Sequence, residues 1–316
     1  MTNPRTLSVC IILCMIGNVH SLFGQENPTY NFLRNDYGAR AAALGGSFVS
    51  MVNDPNVIFY NPSALATIEH QQMSVGFFKH LLDINSGHAS YAQEIPGLGF
   101  VGAGIVYINY GEFTRTDEIG SKLGTFSANE LALSLGYAGD LAPEVRYGAN
   151  VKFIYSGIAE ATSTAMAIDL GALYLLPEQR LTIGVSLLNL GSQLNPYFAT
   201  RENLPVDFKI GATIEPEHLP MLLNLNFHKL NEDQGDFLTR FRSFSLGGEF
   251  IASDAVRLRV GYNNERRRDL KIGTSAGLAG LSFGGGFATE VYKIDYAYNS
   301  YGKIGSLHRI SVGLTF

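Results

Sequence analysis

Large apolar residues alternate with small or polar residues through much of the chain. In Leu131–Tyr137 every second residue is Leu or Tyr, and in Leu223–His228 the intervening residues are Asn, Asn and His. Val256–Tyr262 carries two arginines on its polar face, and Arg309–Phe316 keeps the alternation to the last residue. Because successive side chains of an extended chain point to opposite faces, this period of two predicts β-strands with one apolar and one polar face.

The alternating segments recur along the chain as fourteen strand candidates. They lie near 72–80, 88–95, 98–110, 127–138, 146–156, 164–175, 180–190, 205–214, 221–230, 242–252, 255–263, 278–287, 290–299 and 306–316. Most approach the nine to eleven residues, roughly, that a tilted membrane strand needs, and an even count is typical of bacterial single-chain barrels.

The connections between the candidates alternate in length. Short turns at 96–97, 139–145, 177–179, 215–220, 253–254 and 288–289 alternate with generally longer polar segments at 81–87, 111–126, 157–163, 191–204, 231–241, 264–277 and 300–305. A soluble β-sandwich shares the alternating faces but does not predict this alternation of connections. The sequence therefore predicts an all-β fold, a 14-stranded antiparallel transmembrane β-barrel over residues 72–316.

The two faces of such a barrel have different surroundings. In lipid every backbone donor and acceptor needs a partner within the protein, which a closed barrel supplies. Polar side chains are then expected to face the lumen: Asn150, Lys152, Asp207, Lys209, Asn224, Asn226, Glu249, Arg257, Arg259, Lys293, Asp295 and Arg309. Because isolated buried charge is costly, we expect these charges to pair with one another or with a plug.

The first 24 residues have the form of a signal peptide. Arg5 is the only charge before an apolar run at 7–19, which is too short to span a bilayer. Cleavage is expected after Gly24 or after Ser21. Lipidation at Cys14 is the weaker alternative, because small residues do not precede this cysteine.

Composition narrows the possible functions of the mature chain. Both cysteines, Cys10 and Cys14, lie in the signal peptide, so disulfide and thiol chemistry are excluded after cleavage. The net charge of −5 does not predict a broad basic surface, and we expect no nucleic-acid partner. No His-Glu-x-x-His motif is present, so no metal or cofactor is expected.

A stretch rich in small residues precedes the strands. It contains Gly45 and Gly46, then the step Asn53-Asp54-Pro55, then Asn61-Pro62. The residue before a proline is pushed out of the helical region, so both Asx-Pro steps predict turns. We expect residues 25–71 to form a compact plug, or hatch, inside the barrel.

The last strand ends in an aromatic residue. Ile310, Val312, Leu314 and Phe316 share one apolar face. This ending resembles the signal that the outer-membrane barrel assembly machinery recognises. The barrel assembly machinery and outer-membrane lipids are therefore expected partners.

The small-residue and Asx-Pro motifs, in this order before a wall of strands, resemble the hatch of the FadL superfamily of outer-membrane barrels. They more closely resemble the Bacteroidetes branch that includes PorV and PorQ of the type IX secretion system. The resemblance covers the hatch, the strand number and the C-terminal Phe, and the compact length favours PorQ-like members over the usually longer PorV-like ones.

The resemblance implies an integral outer-membrane protein with its N-terminus in the periplasm. It implies a non-enzymatic component that anchors a PorZ-like surface protein, together with other members of the type IX attachment complex. The alternative is a FadL-like transporter for hydrophobic small molecules. The outer loops are of modest length and contain charged pairs such as Arg201-Glu202. These features argue against a binding site for an apolar substrate in that alternative.

Three further features of the sequence allow simple predictions. A lipase would need Ser and His to converge, but His308 and Ser311 have opposite parity on one strand and should face opposite sides. The run Gly284-Gly285-Gly286 lies within a strand, where it predicts close strand approach, a bend or space for the plug. The basic run 266–268 is expected to lie at a solvated outer loop, or to contact an anionic lipid or a partner.

Overall fold

The computed structural model describes residues 28–80, 84–232, 237–271 and 277–316. Its fourteen strands are β1 Gln72–Lys79, β2 Asn85–Ile95, β3 Gly99–Thr116, β4 Lys122–Ala142, β5 Val145–Ile158, β6 Ala161–Leu176, β7 Leu181–Asn195, β8 Asp207–Ile214, β9 Met221–Phe227, β10 Phe244–Ile251, β11 Val256–Asn263, β12 Leu281–Ala288, β13 Tyr292–Ser300 and β14 Ser306–Thr315. The predicted signal peptide lies outside the described residues.

Short helices complete the secondary structure. The α-helices are α1 Ala39–Ala43 and α2 Asn264–Asp269, and the 3-10 helices are Asn31–Arg34, Pro55–Phe59, Pro62–Thr67, Pro177–Gln179, Phe237–Arg242 and Gly302–Ile304. No helix among the described residues is long and apolar enough to cross a membrane.

The strands form one closed antiparallel barrel in sequence order. β1 closes it by pairing with both β2 and β14, so that Val75 lies opposite Ala89 on one side and Val312 on the other. All fourteen predicted strands are present. Closure leaves no unpaired sheet edge, which is the condition that hydrocarbon imposes on a β-structure.

The barrel wall is taller on one side than on the other. β3 to β7 contain 18, 21, 14, 16 and 15 residues, whereas β8 to β14 contain seven to ten each. The predicted loop at 111–126 was too long, since β3 and β4 continue as a paired hairpin to Thr116 and Lys122. Phe113 stacks on Phe126 at a centroid distance of 5.3 Å, which supports pairing in this polar segment.

The outer face is a band of exposed apolar side chains. Exposed residues on alternate positions include Leu133 and Leu135 of β4, Val151 and Phe153 of β5, and Ile294 of β13. The intervening positions point inward and are buried, as Ser134, Asn150 and Asp295 illustrate. A single sheet with an apolar exterior and a polar interior fits a hydrocarbon environment, because its exposed face needs no second sheet.

Candidate functional site

Residues 28–71, the described part of the hatch, fill the interior of the barrel. Hydrogen bonds join the hatch to strands on opposite sides: Ile58 accepts from Asn150 of β5, Asn61 donates to Ala172 of β6, and Ala39 donates to Ser311 of β14. Asn299 of β13 also donates to the carbonyl of Ala42. A segment bonded to β5, β6, β13 and β14 at once must lie inside the closed wall, as predicted.

The described chain starts at the end of the barrel that carries the long connections. The Thr29 amide donates to the Asn203 carbonyl at 3.1 Å, and the Arg34 guanidinium pairs with Glu232 at 2.7 Å. Both partners lie in long connections. The periplasmic location of the N-terminus stays a prediction.

The two Asx-Pro steps start the two 3-10 helices of the hatch. The Asp54 carboxylate accepts from the Asn56 amide at 3.0 Å, and the Asn61 side chain accepts from the Ser63 amide at 3.2 Å. Each is an N-cap followed by proline at the first helical position, where the missing N–H is no loss. The predicted turns are thus helix starts.

Glycines on both elements allow the hatch backbone to approach the wall. Gly45 and Gly46 adopt φ of 70° and 82°, which disfavour larger residues. On the wall, a Cβ at Gly148 would lie 2.5 Å from the Pro62 carbonyl carbon. Inward glycines that meet the hatch include Gly102, Gly148, Gly184, Gly247, Gly261 and Gly284. Gly284 faces the Ala43 side chain, which confirms the predicted space for the plug.

Six ionic side chains, all buried except the partly exposed Lys293, tie the hatch to β10, β11 and β13. We call them the latch: Arg40, Asp54, Glu249, Arg259, Lys293 and Asp295. Arg40 donates to both Glu249 oxygens at 2.9 and 2.8 Å and pairs with Asp54 at 3.2 Å. Arg259 bridges Glu249 and Asp295 at 2.5 and 2.6 Å, and Lys293 lies 3.7 Å from Asp54.

The latch is electrically neutral, with three cations and three anions. Burial by itself raises the pKa of Asp54, but the charges of Lys293 and Arg40 outweigh burial and hold that pKa below its usual value. The pairing predicted for the lumen charges is therefore present here. Arg40 was not predicted as a partner, although a lone arginine in an alanine-rich segment is a signal that could have identified it.

An apolar cavity of about 320 Å³, the rim pocket, opens on the inner side of the tall wall. Its lining residues are Tyr110, Phe113, Ala128, Glu130, Ser156, Gly157, Ile158 and Tyr197. Tyr110 also packs against a buried apolar cluster deeper in the lumen, which includes Ile108, Ala132, Ile154, Phe32 and Tyr37. The rim pocket and this lumen cluster are therefore adjacent.

A hydrogen-bonded network lines one side of the rim pocket. Tyr110 donates to Glu130 at 2.5 Å, Ser156 donates to the other Glu130 oxygen at 3.2 Å, and Tyr197 donates to Ser156 at 2.5 Å. Burial raises the pKa of Tyr197 to about 12, so its hydroxyl stays protonated and able to donate at neutral pH. The network was not predicted, although Glu130 shares the inward parity of Ala132 and Ser134.

The residues of the predicted assembly signal lie at the outer surface. Ile310, Val312 and Leu314 have the outward parity of β14, and Phe316 is 66% exposed. The Phe316 amide donates to the Gln71 carbonyl at 2.9 Å, which ties the end of the chain to the start of β1. Recognition by the assembly machinery stays a prediction.

The predicted separation of His308 and Ser311 is confirmed. Ser311 is buried in the lumen, where it accepts from the Ala39 amide, while His308 lies outside beside Tyr296 at 2.7 Å. Within the described ranges, no group of three His, Cys, Asp or Glu residues is arranged to hold a metal ion.

No protein-family model matches this sequence, and no curated protein matches it either. Solved structures do match. A FadL homologue of Pseudomonas aeruginosa has a TM-score of 0.56 at 11% identity, over 88% of this chain and 98% of its own. The toluene transporter TodX of Pseudomonas putida has a TM-score of 0.61 at 12% identity, over 88% and 97%.

The toluene transporter TbuX of Ralstonia pickettii gives a similar result, with a TM-score of 0.61 at 12% identity over 89% of this chain and 98% of its own. At identities this low, the likeness establishes the fold alone. The chain therefore has the fourteen-stranded barrel fold of FadL-type outer-membrane proteins.

Proposed function

We propose that this protein is an integral outer-membrane channel that admits small hydrophobic molecules. The observation that carries the proposal is the rim pocket, an apolar cavity inside the tall wall that adjoins the apolar lumen cluster through Tyr110. The toluene transporters TodX and TbuX, which share the fold, support the same substrate class. This favours the alternative function from the sequence over the type IX role.

Membrane insertion follows from the exterior. The exposed Leu, Ile, Val and Phe side chains on the outer face gain about 25 cal/mol per Å² of apolar surface when lipid replaces water. The long connections then face the outside of the cell, as is usual for outer-membrane barrels. The rim pocket opens at that end, where a solute arrives.

The rim pocket can receive one small apolar molecule. Its volume of about 320 Å³ lies near the lower end of the range for ligand sites, roughly 300–1,000 Å³. Phe113, Ile158 and Ala128 supply apolar contacts. A solute moving deeper has to pass the Tyr110–Glu130 hydrogen bond to reach the lumen cluster, so rearrangement of this bond is the expected gating step.

Filling the rim pocket tests the proposal. Ala128 is buried and lines the pocket, so Ala128→Phe removes the space without adding charge. The matched control is Ala149→Phe, because Ala149 lies on the outer face of β5. We expect toluene uptake by cells to fall to the level of a deletion strain in A128F and to stay at the wild-type level in A149F.

Folding of both variants is checked by their heat-dependent migration on gels. Wild-type uptake in a correctly folded A128F barrel contradicts the transport proposal.

The second candidate is the scaffold role in type IX secretion that the sequence resemblance implies. The observation that favours it is the latch, which holds the hatch firmly inside the lumen. In this role a PorZ-like surface protein binds the long connections. The discriminating result is loss of surface-anchored cargo and of a copurifying surface protein on gene deletion, with toluene uptake unchanged.

A further inference from the structure

A second cavity lies at the same end of the barrel, above the short strands. It has a volume of about 260 Å³ and is walled by β8 to β11, by α2 and by hatch residues Arg34, Asp36 and Gly46. It shares no lining residue with the rim pocket. We call it the polar chamber, because most of its walls are ionic and amide side chains, whereas the exposed lining of the rim pocket is mostly apolar.

The charges that line the polar chamber balance. Four cations, Arg34, Lys209, Lys229 and Arg266, face four anions, Asp36, Asp207, Glu265 and Asp269, and His228 adds a titratable ring. An added ligand with a large net charge of either sign is therefore disfavoured. An apolar ligand is disfavoured as well, because it would remove these charges from water without replacing their hydrogen bonds.

Most of these charges already hold the walls together. Glu265 accepts from His228 at 2.9 Å and from Lys229 at 2.7 Å, and Arg266 pairs with Asp36 at 2.8 Å. Burial raises the pKa of Glu265, but the bonds from His228 and Lys229 outweigh burial and keep that pKa well below its usual range. The Glu265 carboxylate is thus charged, and both of its oxygens already accept hydrogen bonds from the chamber walls.

Among the described residues, three buried groups in the walls have no hydrogen-bond partner. The Ser245 hydroxyl is on a residue only 1% exposed, and Arg34 Nε and Arg266 Nη1 are likewise unpaired. All three can donate a hydrogen bond, and all three residues line the polar chamber. A buried donor without an acceptor is unfavourable, so these groups favour a ligand that brings acceptor oxygen atoms into the chamber.

One acceptor in the walls is also unused. Within the described part of the chain, the Asp269 carboxylate has no hydrogen bond or ion pair, although it lines the same cavity. It follows α2 residues Glu265 and Arg266, both of which are paired. The polar chamber therefore offers unpaired donors together with one unpaired anion.

We propose that the polar chamber binds a small zwitterion of the free amino-acid type. The carboxylate of the ligand accepts from Ser245 and Arg266, and its ammonium group pairs with Asp269. A zwitterion supplies acceptors for two of the three unpaired donors and a partner for the unpaired anion, and it leaves the charge balance unchanged, which neither a simple anion nor a simple cation does. The proposal is independent of the transport of hydrophobic molecules, because the two cavities are separate.

Isothermal titration calorimetry on the mature protein in detergent tests the proposal, with L-glutamine as the probe. Two analogues separate its charges: the desamino form lacks the ammonium group, and the α-carboxamide lacks the carboxylate. We expect L-glutamine to bind with a Kd on the order of 1 mM or tighter, and both analogues to bind at least about tenfold more weakly.

Variants of the chamber should weaken binding selectively. Asp269→Asn removes the exposed anion, and Ser245→Ala removes the buried hydroxyl; each should raise the Kd of L-glutamine at least about tenfold. The matched controls are Asp254→Asn at the β10–β11 turn and Ser186→Ala, another buried and unpartnered serine that does not line the chamber. Both controls should bind like the wild type.

Three results overturn the proposal. If titration with L-glutamine releases or absorbs no heat, water alone supplies the hydrogen bonds of the unpaired groups in the walls. Equal affinity for the desamino analogue shows a simple anion site, and unchanged affinity in D269N removes the proposed ammonium contact. Because Asp269 is exposed, D269N is expected to fold, so the last result stays interpretable if S245A does not assemble.

Discussion

Replacing Arg40 by Met should release the hatch from the barrel wall. Among the described residues, Arg40 donates both hydrogen bonds that join Glu249 to the hatch, and it shares Asp54 with Lys293, whose nitrogen is 3.7 Å away. In Arg40→Met the two carboxylates stay buried with fewer positive partners. When the hatch leaves the lumen, water can reach both carboxylates. The variant therefore destabilises the state with the hatch inside the barrel relative to the state with the hatch displaced.

The size of the effect follows from burial. The Arg40, Asp54 and Glu249 side chains are 10%, 3% and 4% exposed, so solvent screens them little. Removing one partner from a buried ion pair costs about 3–5 kcal/mol. At about 1.4 kcal/mol per factor of ten, the population with a displaced hatch should rise roughly 100- to 4,000-fold.

Conductance across planar lipid bilayers measures this population directly. We expect R40M to show frequent openings that the wild type shows rarely. The matched control is Arg115→Met, which breaks the pair with Glu160; the two side chains are 41% and 78% exposed, so the loss is at most about 1 kcal/mol. If R40M opens no more often than R115M, the latch does not hold the hatch.

Two further predictions concern the hatch contact and α2. Gly148→Val should also raise bilayer conductance, because a side chain there collides with the Pro62 backbone, whereas outward-facing Ala149→Val should not. Because His228 and Lys229 hold the pKa of Glu265 well below its usual 4.5, the ion pairs stabilise α2 fully above pH 4.5, and this stabilisation declines only as the pH falls from there toward the lowered pKa. A spin label at Arg268→Cys should therefore be immobile at pH 7, while adding Glu265→Gln, which removes the ion pairs, should make it mobile at the same pH. A label equally immobile with and without Glu265→Gln at pH 7 would contradict the role given to Glu265.

The strands could be predicted because their signal is local. A residue that faces lipid and the next one that faces the lumen differ in polarity, so the period of two is visible within each segment, as at Leu131–Tyr137. The hairpin extension of β3 and β4 was missed for the same reason. Beyond the membrane both faces meet water, and the contrast that identifies a strand disappears.

The Asx-Pro steps of the hatch were also locally readable, since proline and its preceding residue restrict their own backbone. Their position in the lumen followed from composition, because small residues allow close packing. The sequence did not allow us to predict which residues of the barrel wall the two Asx-Pro steps contact. In the sequence, the glycines that contact the hatch do not differ from other strand glycines. Their role becomes visible only from the position of the hatch backbone in the structure.

By itself, the sequence determined the fourteen strands, the inward and outward faces and the small-residue hatch, because each depends on neighbours a few positions away. Only the tertiary structure decided the latch, since Arg40 and Glu249 are 209 positions apart and meet only when the barrel has closed around the hatch. It also decided the two cavities. Their walls combine residues from many strands, and the unequal wall height separates an apolar pocket on the tall side from a polar chamber on the short side.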